Sequence, residues 1–215
     1  MTGLALFDLD DTLVDRTAAY RRWVAGFSSG TELSTADLSV LYDVDLWELD
    51  LRNQLRRIHA YFDISDDFDS FWKRFREGYP RYVRCQAQTM QGLARLRKRG
   101  WKIVIVTNGL TDNQTDKIRL SGLDRYVDGW VISEAEGAEK PDVAIFEAAA
   151  RTVDRALPDG GWMVGDSQSG DVTGGAAAGL STIWLSHGRA LDPELTMPNH
   201  VVTSVDEAID LIEAP

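Results

Sequence analysis

Three aspartates stand together near the start of the chain, in the run Phe7-Asp8-Leu9-Asp10-Asp11-Thr12. Two carboxylates two residues apart can divide covalent and acid–base work, provided their surroundings separate their protonation states. The run alone also suits a turn or a helix N-cap, where aspartate is common. Its meaning therefore depends on what the fold brings beside it. Three further groups stand out: Thr107-Asn108-Gly109, Lys140 ahead of Pro141, and Gly165-Asp166 with Asp171 five residues on. Carboxylates, a hydroxyl and an ammonium in one place suit chemistry on an anionic group whose charge is offset by a cation or a metal.

Most of these groups follow short apolar runs that read as buried parallel strands, because the runs are continuous rather than alternating and end in Gly, Asn or Asp. The runs are Leu4 to Phe7, Lys102 to Val106, Gly129 to Ile132, Trp162 to Val164 and Thr182 to Leu185. Helical spacing fills most of the gaps, around Leu93 and Leu96, from Ile118 to Leu123 and from Val143 to Val153. Alternation of this kind predicts an α/β fold, a doubly wound, Rossmann-like parallel sheet. In such sheets ligands bind beyond the carboxyl ends of the strands. Asp8 and Asp10, then Thr107, Asn108 and Gly109, then Lys140, and finally Asp166 and Asp171 are thus aimed at one rim. Pro141 is expected in the first turn of the helix that follows Lys140.

One region breaks the alternation. Between Leu13 and Thr89 aromatic and leucine-rich segments recur at helical spacing, such as Tyr20, Trp23, Val24 and Phe27, or Trp47, Leu51, Leu55 and Ile58. The expectation is an all-helical insert, with a catalytic core formed by residues 1–14 plus 89–215 and a cap formed by residues 15–88. The aromatic stripes are read as packing. Basic and aromatic residues of the insert, among them Trp47, Arg52, Arg56 and Trp72, are candidates for gripping a leaving group.

A formal charge of -11 argues against nucleic acid and anionic membranes as partners. The single cysteine, Cys85, permits no internal disulfide and is read as a small half-buried residue. With no basic leader and no apolar stretch of membrane length, a soluble cytoplasmic protein is expected, either monomer or homodimer. His59, His187 and His200 lack metal-ligand spacing and are read as structural or surface residues. Gly174, Gly175 and Gly179 lack the spacing of a dinucleotide loop and predict a close-packed helix start. Asp206 to Glu213 reads as an amphipathic terminal helix.

The motifs Asp8-Leu9-Asp10-Asp11-Thr12-Leu13, Thr107-Asn108-Gly109, Lys140-Pro141-Asp142 and Gly165-Asp166-Ser167-Gln168-Ser169-Gly170-Asp171 stand in the order found in the haloacid dehalogenase-like hydrolase superfamily. The chain resembles that superfamily over its α/β core, and the insert resembles a family cap in position and size. The resemblance implies that Asp8 is the nucleophile and forms an aspartyl-phosphate, splitting one hard displacement into two. It implies that Asp10 protonates the leaving alcohol and then activates water. It makes Asp8, the backbone carbonyl of Asp10 and Asp166 the ligands of Mg²⁺, with Asp171 supporting them. Thr107, Asn108, Gly109 and Lys140 are the implied phosphate-binding groups, with Lys140 also offsetting charge during the reaction.

An aspartate at position 10 favours phosphate esters, since the dehalogenase and phosphonatase branches lack one there. Asp11 departs from the glycine that many relatives carry. The expected activity is magnesium-dependent hydrolysis of a small phosphorylated metabolite. Two alternatives use the same aspartate: a phosphosugar mutase, and a non-enzymatic phospho-aspartate switch domain.

Overall fold

The computed structural model describes residues 3–29, 33–42, 51–157 and 160–214. The chain divides into two compact units, one formed by Met1–Asp15 with Arg84–Pro215 and the other by Arg16–Val83. Strand β1 (Leu4–Phe7) is wholly buried. The second unit follows with four described helices, α1 (Arg16–Phe27), α2 (Thr35–Tyr42), α3 (Leu51–Tyr61) and α4 (Phe68–Gly78). The chain then continues as α5 (Ala87–Lys98), β2 (Lys102–Thr107), α6 (Thr111–Ser121), β3 (Gly129–Ile132), α7 (Ser133–Glu136), α8 (Val143–Arg151), β4 (Trp162–Gly165), α9 (Thr173–Ala177), β5 (Ser181–Leu185), β6 (His200–Val202) and α10 (Val205–Glu213).

The six strands form one sheet in the order β3-β2-β1-β4-β5-β6, and every pairing is parallel. The fold is the expected α/β, Rossmann-like architecture. Continuous burial along β1, β2 and β4 explains why these strands read as unbroken apolar runs, since helices cover both faces. Strand β6 was not expected. It has three residues, of which His200 and Val201 are exposed at the sheet edge, so it presents no apolar run to read. Helix α10 forms where the acidic amphipathic segment predicts, with Ser204 capping Glu207 N–H and Asp206 and Glu207 placed at the positive end of the helix dipole.

Pro141 corrects an expectation. Helix α8 starts only at Val143, because Asp142 takes the N-cap and accepts from Ala144 N–H at 2.9 Å. Pro141 thus precedes the helix, and the Lys140–Pro141 peptide is cis. The glycine cluster behaves as a close-packed helix start. A Cβ on Gly174 would meet Phe146 at 2.7 Å, and one on Gly175 would meet Met163 at 2.8 Å.

The second unit holds itself together with rings. Trp23 stacks on Phe27 with centroids 5.2 Å apart and meets Phe75 edge-on at 4.9 Å, and Phe75 stacks on Tyr79 at 4.9 Å. Offset and edge-to-face pairs of this kind add to the area they bury. Several candidate basic residues are engaged in the same packing: Arg52 reaches Asp69 at 2.7 Å and Arg56 lies over Phe68 at 4.5 Å. Trp47 lies outside the described residues. Among the described residues, no helix is long and apolar enough to cross a membrane.

Candidate active site

Asp8 is the first residue past β1, and its N–H still joins the sheet by donating to Val164 O at 2.9 Å. The chain then winds into a tight loop. Leu13 and Val14 both donate to Leu9 O at 3.0 Å, and Asp11 donates to Val14 O at 2.7 Å. Asp11 sits in the left-handed region with φ 59°. Glycine enters that region freely, and aspartate is among the few other residues that tolerate it. Within hydrogen-bond reach of the Asp11 carbonyl, at 2.6 Å, is His187 Nε2, a structural role for that histidine.

The buried Lys140 ammonium donates to Asp8 Oδ1 and Asp171 Oδ1, each at 2.6 Å. Its backbone is clamped from β2: Lys140 N–H donates to Asn108 Oδ1 at 2.9 Å and Asn108 Nδ2 donates to Lys140 O at 3.1 Å. This reciprocal amide pair was not foreseen, because it joins residues on separate loops. Asp171 is delivered by a π-helical turn over Gln168–Val172, opened by Ser167. Asp171 Oδ2 then accepts from Ser167 N–H at 2.9 Å. A Cβ on Gly165 would lie 2.1 Å from that oxygen, so Gly165 is required for Asp171 to reach the site.

Asp166 completes a cluster. One carboxylate oxygen from each of Asp8, Asp166 and Asp171 lies within 4.8 Å of the others. Asp166 is fixed from β5 and the loop after it: Trp184 Nε1 donates to its backbone O at 2.8 Å, and Arg189 approaches the same O at 2.6 Å and Oδ2 at 3.3 Å. Neither Trp184 nor Arg189 was singled out in the sequence.

The candidate phosphate-binding run lies beside Asp10. Thr107 Oγ1 accepts from Gln114 Nε2 at 2.6 Å, and the same amide donates to Asp10 Oδ2 at 3.0 Å. Lys117 Nζ reaches both Asp10 oxygens, at 2.9 and 2.7 Å. Gly109 N–H donates to Ser133 Oγ at 3.0 Å, so it is already engaged. The structure therefore brings together Asp8 and Asp171 around the Lys140 ammonium, Asp166 with both of them in one carboxylate cluster, and Asp10 with Thr107 around one amide. Gln114 and Lys117 were missed. Their signal was present: on the buried face of α6, with Ile118 and Ser121, they put polar residues where an amphipathic helix normally carries apolar ones.

Negative charge dominates this cluster. Burial pushes the Asp8 carboxyl up to about 7; Lys140 opposes the shift, while Asp171 and Asp10 add to it. Burial likewise pushes Asp166 up to about 8, reinforced by Asp8, Asp171 and Asp11 and opposed by Arg189. Burial alone would lower the Lys140 ammonium, but Asp171 and Asp8 outweigh it and hold the charge in place. An all-oxygen cluster whose anionic form is under-compensated fits a hard divalent cation, and Asp8 and Asp166 could hold one. Asp171, already bonded to Lys140 and Ser167, is suited to orient rather than to ligate.

The same shifts give a stability signature. In the metal-free protein Asp8 and Asp166 bind protons more tightly when folded than at their unfolded value of 3.8. Their contribution to stability is therefore full below about pH 4 and is lost as the pH rises through about 7 to 8. Tm in chelator should fall across that interval, by roughly 2–4 °C per kcal/mol lost at this chain length. Magnesium, which competes with protons for these ligands, should raise Tm more at the upper end. Melts that do not change over the interval would exclude this account.

Outside the site, the Cys85 thiol is pushed up to about 12 by burial and by Asp206, which makes it a poor nucleophile. His59 Nε2 lies within hydrogen-bond reach of Asp66 O at 2.7 Å, while His200 packs beside Trp162 with ring centroids 5.7 Å apart.

A family model for haloacid dehalogenase-like hydrolases matches residues 2–179. The pyrimidine 5'-nucleotidase PynA of Streptococcus pneumoniae is 30% identical over 97% of this chain and 94% of its own length. The glyceraldehyde 3-phosphate phosphatase of Pyrococcus furiosus is 27% identical over 96% of this chain and 91% of its own. Among solved structures, the HAD-hydrolase YfnB of Bacillus subtilis, bound to magnesium, superposes with a TM-score of 0.71 at 18% identity, covering 99% of each chain.

Proposed function

As the chain belongs to the haloacid dehalogenase-like hydrolase family, we propose that it is a magnesium-dependent phosphomonoesterase acting on a small phosphorylated metabolite. The observation that carries this reading is the Lys140 ammonium, buried between Asp8 and Asp171 at 2.6 Å from each, two carboxylates that cluster with Asp166. A carboxylate held this way is oriented for attack, and the ammonium next to it can follow charge onto a phosphoryl oxygen.

An Asp8 oxygen attacks phosphorus, the bond from phosphorus to the ester oxygen breaks, and that oxygen takes a proton from Asp10. Asp10 then removes a proton from water, which attacks the aspartyl-phosphate. The bond from phosphorus to Asp8 breaks, inorganic phosphate leaves, and both carboxylates return to their starting states. Thr107 Oγ1, Asn108 and Lys140 hold the phosphoryl oxygens, and Gly109 lets the group come close. Asp8, Asp166 and the Asp10 carbonyl would hold magnesium, which would supply the charge neutralisation that lets an anionic nucleophile meet a phosphate dianion. The helical unit Arg16–Val83 is the element we assign to selecting the leaving group. A single half-buried cysteine suits a reducing cytoplasm.

The substrates named by the two relatives, a pyrimidine 5'-nucleotide and glyceraldehyde 3-phosphate, are the first to test. Purified protein should release phosphate from at least one of them in magnesium, and a chelator should lower the rate by at least about 100-fold. Isomerised sugar phosphate without free phosphate would mark a mutase instead. A long-lived phospho-protein without turnover would mark a switch domain.

A further inference from the structure

Asp10 is gripped by two side chains that lie outside the four motifs. Lys117 is 5% exposed and places Nζ 2.9 and 2.7 Å from its two carboxylate oxygens. Gln114 is 2% exposed and donates Nε2 to Oδ2 at 3.0 Å. The two stand three residues apart on α6, the spacing that puts side chains on one face of a helix. Burying an ammonium is costly unless it is paired and hydrogen-bonded, and such a pair does little for stability that apolar residues would not do as well. Apolar residues in place of Gln114 and Lys117 would have served α6 for packing.

Gln114 does more than hold Asp10. Its amide also donates to Thr107 Oγ1 at 2.6 Å and to Asn108 O at 3.3 Å. One side chain therefore ties the loop after β1 to the end of β2. The carboxylate of Asp10 and the hydroxyl of Thr107 are held in fixed relation by a single rigid group, itself carried on a helix that starts four residues past Thr107.

We propose that Lys117 and Gln114 are positioning residues that fix the Asp10 carboxyl where it delivers its proton to the leaving oxygen. The inference rests on the phosphomonoesterase reading. In the step concerned, the bond from phosphorus to the ester oxygen breaks as that oxygen takes the Asp10 proton. An alkoxide leaves poorly without the proton, whereas 4-nitrophenolate leaves without it. Misplacing Asp10 therefore slows alkyl esters selectively, and kcat/KM isolates this step because it ends at alcohol release.

The test compares kcat/KM for 4-nitrophenyl phosphate with that for an alkyl phosphate turned over by the wild type. Lys117→Met should lower the alkyl value by roughly 30- to 100-fold, up to the lower end of what a general acid contributes, and the aryl value by less than about threefold. Lys117→Arg should recover part of the alkyl loss. Gln114→Met, which keeps volume without a donor, should show the same selectivity at about fivefold, and it decides the matter if Lys117→Met does not fold. Equal losses on both esters, or no loss, overturn the positioning role while leaving the phosphatase reading intact. A wild type that hydrolyses neither ester overturns that reading, and the inference with it.

Discussion

Replacing Asp8 with asparagine should lower phosphate release by about 10⁴-fold or more without unfolding the protein. The amide matches the carboxylate in shape but has no nucleophilic oxygen, so the covalent step is lost and not merely slowed. Stability should hold for a separate reason. Asp8 is buried and its ionised form is disfavoured: burial, with Asp171 and Asp10, outweighs Lys140 and leaves the carboxyl pushed up to about 7. A neutral side chain there relieves repulsion with Asp171 and Asp10, and Lys140 keeps Asp171 as its partner at 2.6 Å. The Asp8→Asn variant should therefore melt at or above the wild-type temperature in chelator. Acid-quenched wild-type protein should carry a phosphoryl-sized mass increase during turnover, and the variant should not. Retention of more than about 1% of the wild-type rate with a matching fold would remove Asp8 from the role of nucleophile.

Replacing Lys140 with methionine should be more damaging to the fold. The ammonium holds both Asp8 and Asp171, and all three side chains are almost fully buried. Removing one partner of a buried ionic network leaves the others uncompensated, a loss of about 3–5 kcal/mol, or roughly 10 °C in Tm for a chain of this size. Activity should fall with it, since no cation then follows the phosphoryl charge. A second substitution separates the two effects. Adding Asp171→Asn removes one of the stranded carboxylates, so the double variant should regain much of the stability and none of the activity. If Lys140→Met alone melts like the wild type, the ion pairs at 2.6 Å do not hold the fold together.

The sheet could be read from the chain because its physics is local. A strand buried on both faces must be apolar throughout, so Leu4–Phe7 and Lys102–Thr107 announce themselves. His200–Val202 lacks that signature, being short and exposed at the edge, and it was not foreseen. Pro141 was misjudged for an equally local reason. Proline at the first helical position and aspartate at the N-cap compete for the same few residues, and Asp142 took the cap.

The polar residues at the strand ends were legible too, because a polar residue at the carboxyl end of a buried strand is seldom there for packing. The chain by itself thus determined an α/β hydrolase core and the positions of Asp8, Asp10, Thr107, Lys140, Asp166 and Asp171. Only the tertiary structure decided which charge answers which: Lys140 for Asp8 and Asp171, Lys117 for Asp10, Arg189 for Asp166. Lys117 and Asp10 are 107 positions apart, and nothing in either neighbourhood names the other. Electrostatic energies depend on distance and burial, which exist only once the chain has folded.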